Sequence, residues 1–141
     1  MVVDASVSLK WVLDDEDAVA EAVALRDSAI NGRFEMVAPA LWLYEVTNGL
    51  VTAVRRGRID ADLGAQALQH LQFVGVRLVD PDVADTYARA IRYGVAAYDA
   101  VYLALADALD VPLWTGDRRF YDQVHGVATN VQWIGTYREA G

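Results

Sequence analysis

Four acidic residues of this chain lie in segments that are otherwise apolar. Asp4 follows Met1–Val3, Glu45 is the one charged residue of segment 37–53, Asp99 is the one charged residue of segment 94–105, and Asp117 ends the run VPLWTG. An unpaired carboxylate among apolar neighbours is costly or shifts its pKa, so such acids usually have a partner. Cationic partners are few, because the chain has a single lysine and most arginines lie elsewhere. We therefore expect the four acids to converge and to be neutralised by a metal cation.

The available donor atoms restrict the metal and its chemistry. The chain has no cysteine, and neither His70 nor His125 has a second histidine at ligand spacing. Hard carboxylate oxygens without cysteine or paired histidine select Mg²⁺ or Mn²⁺ over Zn²⁺. Such an ion orients a water molecule, lowers its pKa and stabilises charge on a phosphate during in-line displacement.

Short apolar segments alternate with helical patterns along the chain. Strands are predicted over Val2–Ala5, Phe34–Ala38, Val76–Val79, Pro112–Thr115 and Val131–Ile134. Helices are predicted through Lys10–Leu13, over Ala18–Ile30, from Pro39 to about Arg56, over Ala61–Val74, from Asp80–Pro81 to Tyr93–Gly94, over Asp99–Leu109 and over Arg118–Val124. This alternation predicts an α/β fold with a parallel sheet covered on both faces, a three-layer sandwich.

The predicted elements place the acids at one edge of the sheet. Asp4 and Asp117 each follow a strand, and ligands of open α/β sheets bind at the carboxyl ends of strands. Glu45 lies in the second turn of its helix and Asp99 opens a helix, so both can face the same edge. Each aspartate also has a simpler interpretation as a helix N-cap. Asp80 carries a full helix-start signature and is assigned a structural role only.

Several neighbours are expected to support the acids. Ser6 and Thr115 each lie two residues from a strand-end aspartate, where a hydroxyl either holds the carboxylate or makes a local turn bond. Asn48 lies three residues after Glu45 on the same helical face and is expected to orient its carboxylate. The run of residues 14–17 is interpreted as a solvated acidic turn.

Net charge limits the kind of partner. At −8, the chain is poorly suited to bind nucleic acid over a broad surface. A divalent ion in an acidic cleft reverses the field locally. Arg118 and Arg119 follow the last acid and are either phosphate ligands beside the metal or a solvated first helical turn. With 141 residues, no apolar run near the roughly 20 residues of a membrane span and no basic leader, a single cytoplasmic domain is expected.

The segments VVDAS, PALWLYEVTNGL, AYDAVYLALA and LWTGDRRF together resemble the PIN-domain nucleases. More narrowly, they resemble the VapC-type toxins of bacterial and archaeal toxin–antitoxin pairs, and the resemblance covers essentially the whole chain. It implies a five-stranded parallel sheet flanked by helices in one domain over residues 1–141. It also implies a Mg²⁺- or Mn²⁺-dependent endoribonuclease, a homodimer, and a VapB-type antitoxin whose C-terminal segment covers the site.

The same resemblance assigns roles to residues. Asp4, Asp99 and Asp117 are implied to contact the metal, Glu45 to complete the shell or position the water, and Ser6, Asn48 and Thr115 to support them. Many relatives carry a further acid two residues after the last aspartate, where this chain has Arg119. The sequence therefore argues against tight binding of a second metal ion.

Other functions remain open from the sequence. A receiver-type signalling domain needs an acid pair after the first strand and a late lysine, but this chain has Asp4 alone and its one lysine is Lys10. A haloacid-dehalogenase-like phosphatase needs an aspartate where Ser6 stands. A non-catalytic Mg²⁺-binding protein of this fold and a DNA-directed nuclease stay as alternatives, because no residue visibly reads a 2′-hydroxyl.

Overall fold

The structure is a computed structural model that describes residues 1–140. Five strands are present: β1 (Val2–Val3), β2 (Val37–Ala38), β3 (Arg77–Leu78), β4 (Leu113–Thr115) and β5 (Val131–Trp133). Seven α-helices connect them: α1 (Ala5–Leu9), α2 (Val19–Ile30), α3 (Leu41–Arg55), α4 (Ala61–Phe73), α5 (Val83–Tyr93), α6 (Ala97–Leu109) and α7 (Arg118–Val124). A 3₁₀ turn, Ile134–Thr136, follows β5.

The strands form one sheet in the order β3-β2-β1-β4-β5, and every pair is parallel. The predicted five-stranded parallel sheet flanked by helices is therefore confirmed. Val2 of the central strand pairs with Val37 on one side and with Leu113 on the other. The chain builds outward from β1 to β3 and then crosses to β4, so strand order reverses between β1 and β4. Ligands of open α/β sheets bind at such a reversal.

The core lies on both sides of this sheet. Helices α2, α3, α4 and α6 contribute Leu25, Trp42, Leu71 and Leu105, which are essentially inaccessible to water, and β4 contributes Leu113. Both residues of β1 are fully buried as well. Burial on two faces is typical of a central parallel strand and explains why its residues are all apolar. Within residues 1–140, no helix is both long and apolar enough to cross a membrane.

Helices α3 and α5 both begin later than predicted. Helix α5 begins at Val83, because Asp82 is its N-cap and accepts from the Ala84 backbone nitrogen at 2.7 Å. Asp80 instead accepts from the Ala40 backbone nitrogen at 2.9 Å, across the neighbouring strand ends, just before α3 begins. Its role is still structural, but the helix that it supports is α3. Pro39 likewise precedes α3, whose first residue is Leu41.

Candidate active site

Asp4 joins the central strand to α1. Its backbone is extended, and its Oδ1 accepts from the Val7 nitrogen at 3.1 Å, so it is the N-cap of α1. The Ser6 hydroxyl also donates to Oδ1. Only 7% of the residue is exposed. The capping interpretation of Asp4 is therefore correct, but a cap bond uses a single carboxylate oxygen and leaves the residue able to bind a cation as well.

Asp117 has the same place at the end of the adjacent strand. It is the N-cap of α7, with Oδ1 accepting from the Phe120 nitrogen at 3.1 Å. Its own backbone nitrogen donates to the Thr115 hydroxyl at 3.0 Å. The Gly116 nitrogen donates to the Ser6 hydroxyl at 2.8 Å. Ser6 thus connects the loop after β4 to the loop after β1 and holds the two aspartates at one edge.

Glu45 reaches this edge from α3, which packs closely on α1. The Trp42 indole nitrogen donates to the Ser8 hydroxyl at 2.9 Å, joining the two helices. A Cβ on Gly49, one turn after Glu45, would lie 2.4 Å from Leu9 Cδ1. Glycine at this position permits the short approach between α3 and α1 that brings Glu45 toward Asp4.

Asp99 enters from the first turn of α6. The helix begins at Ala97, and the Asp99 backbone nitrogen already donates to the Ala96 carbonyl at 3.1 Å. The expectation that Asp99 opens and caps this helix was therefore wrong, and its carboxylate is not needed for capping. One turn further on, the Tyr102 hydroxyl donates to Glu45 Oε1 at 2.6 Å.

Tyr102 was not predicted as a site residue. In the apolar sequence of α6, Tyr102 is hard to distinguish from an ordinary core tyrosine. The available signal was its spacing, three residues after Asp99, which puts both side chains on one helical face.

The four acids line one cleft of about 70 Å³, together with Ser6, Tyr102 and Phe120. The structure thus brings the four acids together in one cleft. Burial, with a smaller contribution from the charge of Asp117, raises the pKa of Asp4 to about 6, against the opposing effect of the Ser6 and Thr115 hydroxyls and the Val7 amide. The negative charge of Asp117 thus acts on Asp4 across the cleft.

Two further acids show the same effect. Burial raises the pKa of Glu45, the Tyr102 hydroxyl opposes the rise, and the charges of Asp4 and Asp99 add to it. Burial also raises the pKa of Asp99, with a smaller contribution from Asp117. None of the four acids has an ion-pair partner in the described part of the chain. Four acids without a cation at the reversal of strand order are typical of a metal-dependent site.

The sequence profile of the PIN domain matches residues 1–125. The chain belongs to the PIN-domain family. Among its relatives, the ribonuclease VapC3 of Pyrobaculum aerophilum is 30% identical over 134 residues, covering 92% of this chain and 98% of that protein. The ribonuclease VapC9 of Mycobacterium tuberculosis is 35% identical over 124 residues, covering 86% and 89%. Within the PIN family, the chain is therefore of the VapC type.

A third relative and a solved structure complete the comparison. The exonuclease VapC9 of Pyrobaculum aerophilum is 28% identical over 114 residues, covering 81% of this PIN domain and 86% of that protein. The crystal structure of PAE2754 from Pyrobaculum aerophilum superposes with a TM-score of 0.73 at 24% identity, covering 96% of this chain and 90% of that one. This structural likeness supports the PIN fold alone.

The acids of this PIN domain fit a hard divalent cation by donor type and charge. Within residues 1–140, however, no three histidine, aspartate or glutamate side chains stand grouped so as to hold a metal ion. Uncompensated carboxylates repel one another, so binding of a cation would require these side chains to move closer together. The four acids supply only carboxylate oxygens, which suits Mg²⁺ or Mn²⁺.

Three other predicted site residues of the PIN domain differ in placement. Asn48 is exposed and makes no hydrogen bond to Glu45 in the described chain. Tyr102, and not Asn48, donates the hydrogen bond that orients the Glu45 carboxylate. Arg118 places its guanidinium 3.8 Å from the centre of the Trp133 ring. Arg119 lines a larger cavity of about 360 Å³ that adjoins the acids and is shared with Asp99 and Asp117. Of the two arginines, Arg119 is the one beside the acids.

Proposed function

We propose that this PIN domain is a metal-dependent endoribonuclease that hydrolyses phosphodiester bonds of RNA, as the toxin of a toxin–antitoxin pair. The observation that carries the proposal is the meeting of four acids without cationic partners in one cleft at the strand-order reversal. The relatives named as VapC ribonucleases support RNA as the substrate. The active unit is residues 1–141 acting as one domain.

Each acid has a distinct part in the reaction. Asp4, Asp99 and Asp117 would hold Mg²⁺ or Mn²⁺, which would supply positive charge at the phosphate and lower the pKa of a water molecule. Glu45, fixed by the Tyr102 hydroxyl, completes the metal shell or accepts the proton of the attacking water. Ser6 and Thr115 keep the strand-end aspartates in place.

An arginine next to the acids completes the substrate site. Arg119 binds a phosphate oxygen of the RNA from the adjoining cavity, since its guanidinium forms strong charge-assisted bonds to phosphate. Arg118 is held over Trp133 and does not line this cavity. The local positive charge matters because the protein as a whole carries −8.

We also propose that the protein is a homodimer whose partners meet through α5. Val83, Tyr87 and Ile91 lie four residues apart on that helix and are all largely exposed, forming one apolar stripe. A stripe of this kind on a helix surface typically marks an interaction site. A cognate VapB-type antitoxin then covers the acidic cleft with its C-terminal segment, and the pair acts in the cytoplasm.

The test is cleavage of a defined circular RNA by the purified protein in Mg²⁺, in Mn²⁺ and in EDTA. An endonuclease linearises the circle, whereas an exonuclease, as one relative is named, leaves it intact. We expect linear product with metal, none with EDTA, and a loss of at least about 100-fold in Asp99→Asn. Asp85→Asn is the matched control, because Asp85 lies in the first turn of α5 and is exposed.

Three outcomes of this test would contradict the proposal. Full RNA cleavage by Asp99→Asn would exclude the assigned metal site. Cleavage of a matched DNA circle in preference to RNA would favour the DNA-directed alternative. Metal binding without cleavage of either would favour a non-catalytic protein.

A further inference from the structure

Lys10 is the only lysine of the chain and is almost completely buried. It lies directly after α1 with 4% of its surface exposed, and its Nζ is 2.8 Å from Asp17 Oδ1. The Asp17 side chain is itself 72% exposed. A buried ammonium group is costly unless it is paired, so Asp17 is the anchor that allows Lys10 to remain inside. The Lys10 hydrogen bond and charge in turn lower the pKa of Asp17.

The Lys10 side chain passes directly against Gly116, the residue between β4 and Asp117. A Cβ on Gly116 would lie 2.5 Å from Lys10 Cε, 3.4 Å from Lys10 Nζ and 3.3 Å from Ser6 Oγ. Gly116 has no left-handed backbone angle, in contrast to Gly94 at the end of α5. The close approach of Lys10, and not backbone conformation, is therefore what requires glycine at this position.

The acidic segment 14–17 is an exposed turn, as the sequence indicated, and its residues 15–17 also form ion pairs. Asp15 receives both Nε and a terminal nitrogen of Arg58, at 2.8 and 2.5 Å. Asp17 accepts a hydrogen bond from the Lys10 ammonium group. The segment thus joins the turn after α3 to the lysine beneath the loop that carries Asp117.

We propose that Lys10, anchored by Asp17, is a positioning residue for Asp117. It fills the space beneath Gly116 and holds the loop after β4 at the height where Asp117 lines the acidic cleft. Ser6 holds the same loop from the other side through the Gly116 nitrogen. The inference rests on the proposed function, because a displaced Asp117 matters through the cation that it helps to hold.

A double-mutant cycle on Mn²⁺ affinity tests this role without any RNA. Lys10→Ala removes the support and Gly116→Ala pushes against it, so we expect each to weaken Mn²⁺ binding roughly tenfold in titration calorimetry. In the double variant the added methyl group occupies the vacated space. We therefore expect the double variant to bind Mn²⁺ at least as tightly as the single variant that binds it less tightly. Additive losses would overturn the proposal, because independent sites give additive effects.

Substitutions of the anchor separate positioning from a general loss of stability. Asp17→Asn should weaken Mn²⁺ binding and lower kcat with little change in the RNA KM, and Asp17→Glu should restore both. Arg89→Met is the matched control, since it breaks the 2.6 Å Arg89–Asp107 ion pair, which lies outside the acidic cleft. Asp17 is exposed, so its variants give a result even if Lys10→Ala does not fold. Wild-type affinity in Asp17→Asn would contradict the anchor.

A further measurement distinguishes failure of this inference from failure of the proposed function. If the wild-type protein binds no Mn²⁺, the proposed function fails, and amide chemical shifts of metal-free protein decide the role of Lys10. Shifts of Gly116 and Asp117 that change in Asp17→Asn but not in Arg89→Met support positioning. Unchanged shifts overturn it. If wild-type protein and the Lys10 and Asp17 variants bind Mn²⁺ equally, the nuclease proposal stands and the positioning role is wrong.

Discussion

At the level of single residues, Asp4 combines two demands that oppose each other. As a cap it satisfies the Val7 amide of α1, which favours folding. As a buried carboxylate its charge is disfavoured, which raises its pKa to about 6. The folded protein therefore binds a proton more tightly than the unfolded chain, and the resulting loss of stability develops as pH rises from about 4 to about 6.

Asp4→Asn should stabilise the metal-free protein. Asparagine is an equally good cap and carries no charge, so the free energy of unfolding at pH 7.5 should rise by at most about 3 kcal/mol. Urea denaturation in EDTA at several pH values measures the difference, which should vanish below pH 4. Addition of Mg²⁺ should stabilise the wild-type protein and not the variant. Equal stabilities of the two proteins at every pH would show that the buried charge of Asp4 does not destabilise the fold.

Tyr102→Phe should change the pH dependence of RNA cleavage. The Tyr102 hydroxyl counteracts the burial that raises the pKa of Glu45, so its removal raises that pKa further. Under the proposal that Glu45 accepts the proton of the attacking water, the acidic limb of kcat/KM should move to higher pH, with roughly tenfold lower activity at neutral pH. Tyr98→Phe, on the same helix but exposed, is the control. An unshifted profile would mean that Glu45 does not titrate in the reaction.

At the level of elements, the site depends on how α3 packs on α1. Gly49 contacts Leu9, and Trp42 donates to Ser8, so the two helices meet over a short distance. Glu45 lies between these contacts on α3. Its distance from Asp4 is therefore controlled by residues that touch neither substrate nor metal.

Gly49→Val should separate these helices. Its side chain would collide with Leu9, which costs about 1–3 kcal/mol of stability and should lower metal affinity through displacement of Glu45. Leu9→Ala in the same chain should restore much of both losses by making room. Urea denaturation and Mn²⁺ titration measure them. Gly126→Val is the control, because nothing lies within 4 Å of a Cβ there. Lack of rescue by Leu9→Ala would show that this contact is not the cause.

The element pattern predicted most of the fold and the two site residues that directly follow strands. Asp4 and Asp117 were placed correctly because an aspartate after a buried strand has one edge of the sheet available to it. The start of α6 was missed, since Ala96 caps it without any side-chain bond and Asp99 looked like the better cap. Contacts between distant helices, such as Tyr102 with Glu45, depend on packing that no local pattern encodes.

At the level of the whole molecule, the exposed stripe on α5 is the surface through which we propose that copies of the chain associate. Tyr87→Glu combined with Ile91→Glu should convert the dimer to a monomer without unfolding it, because both side chains are exposed. Sedimentation velocity at several concentrations measures this. Phe73→Glu on α4 removes an equally exposed apolar residue from another surface and should leave the dimer intact. An unchanged dimer in the double variant would locate the interface elsewhere.

The sheet order also determines when activity can arise during synthesis. The first acid leaves the ribosome with β1, but the strand that belongs beside it, β4, is made more than a hundred residues later. Until then β1 can pair only with β2, and the pocket lacks Asp117. A nascent or truncated chain that ends before β4 therefore lacks one of the four acids of the cleft. The full set of four acids comes together only after β4 has joined the sheet beside β1.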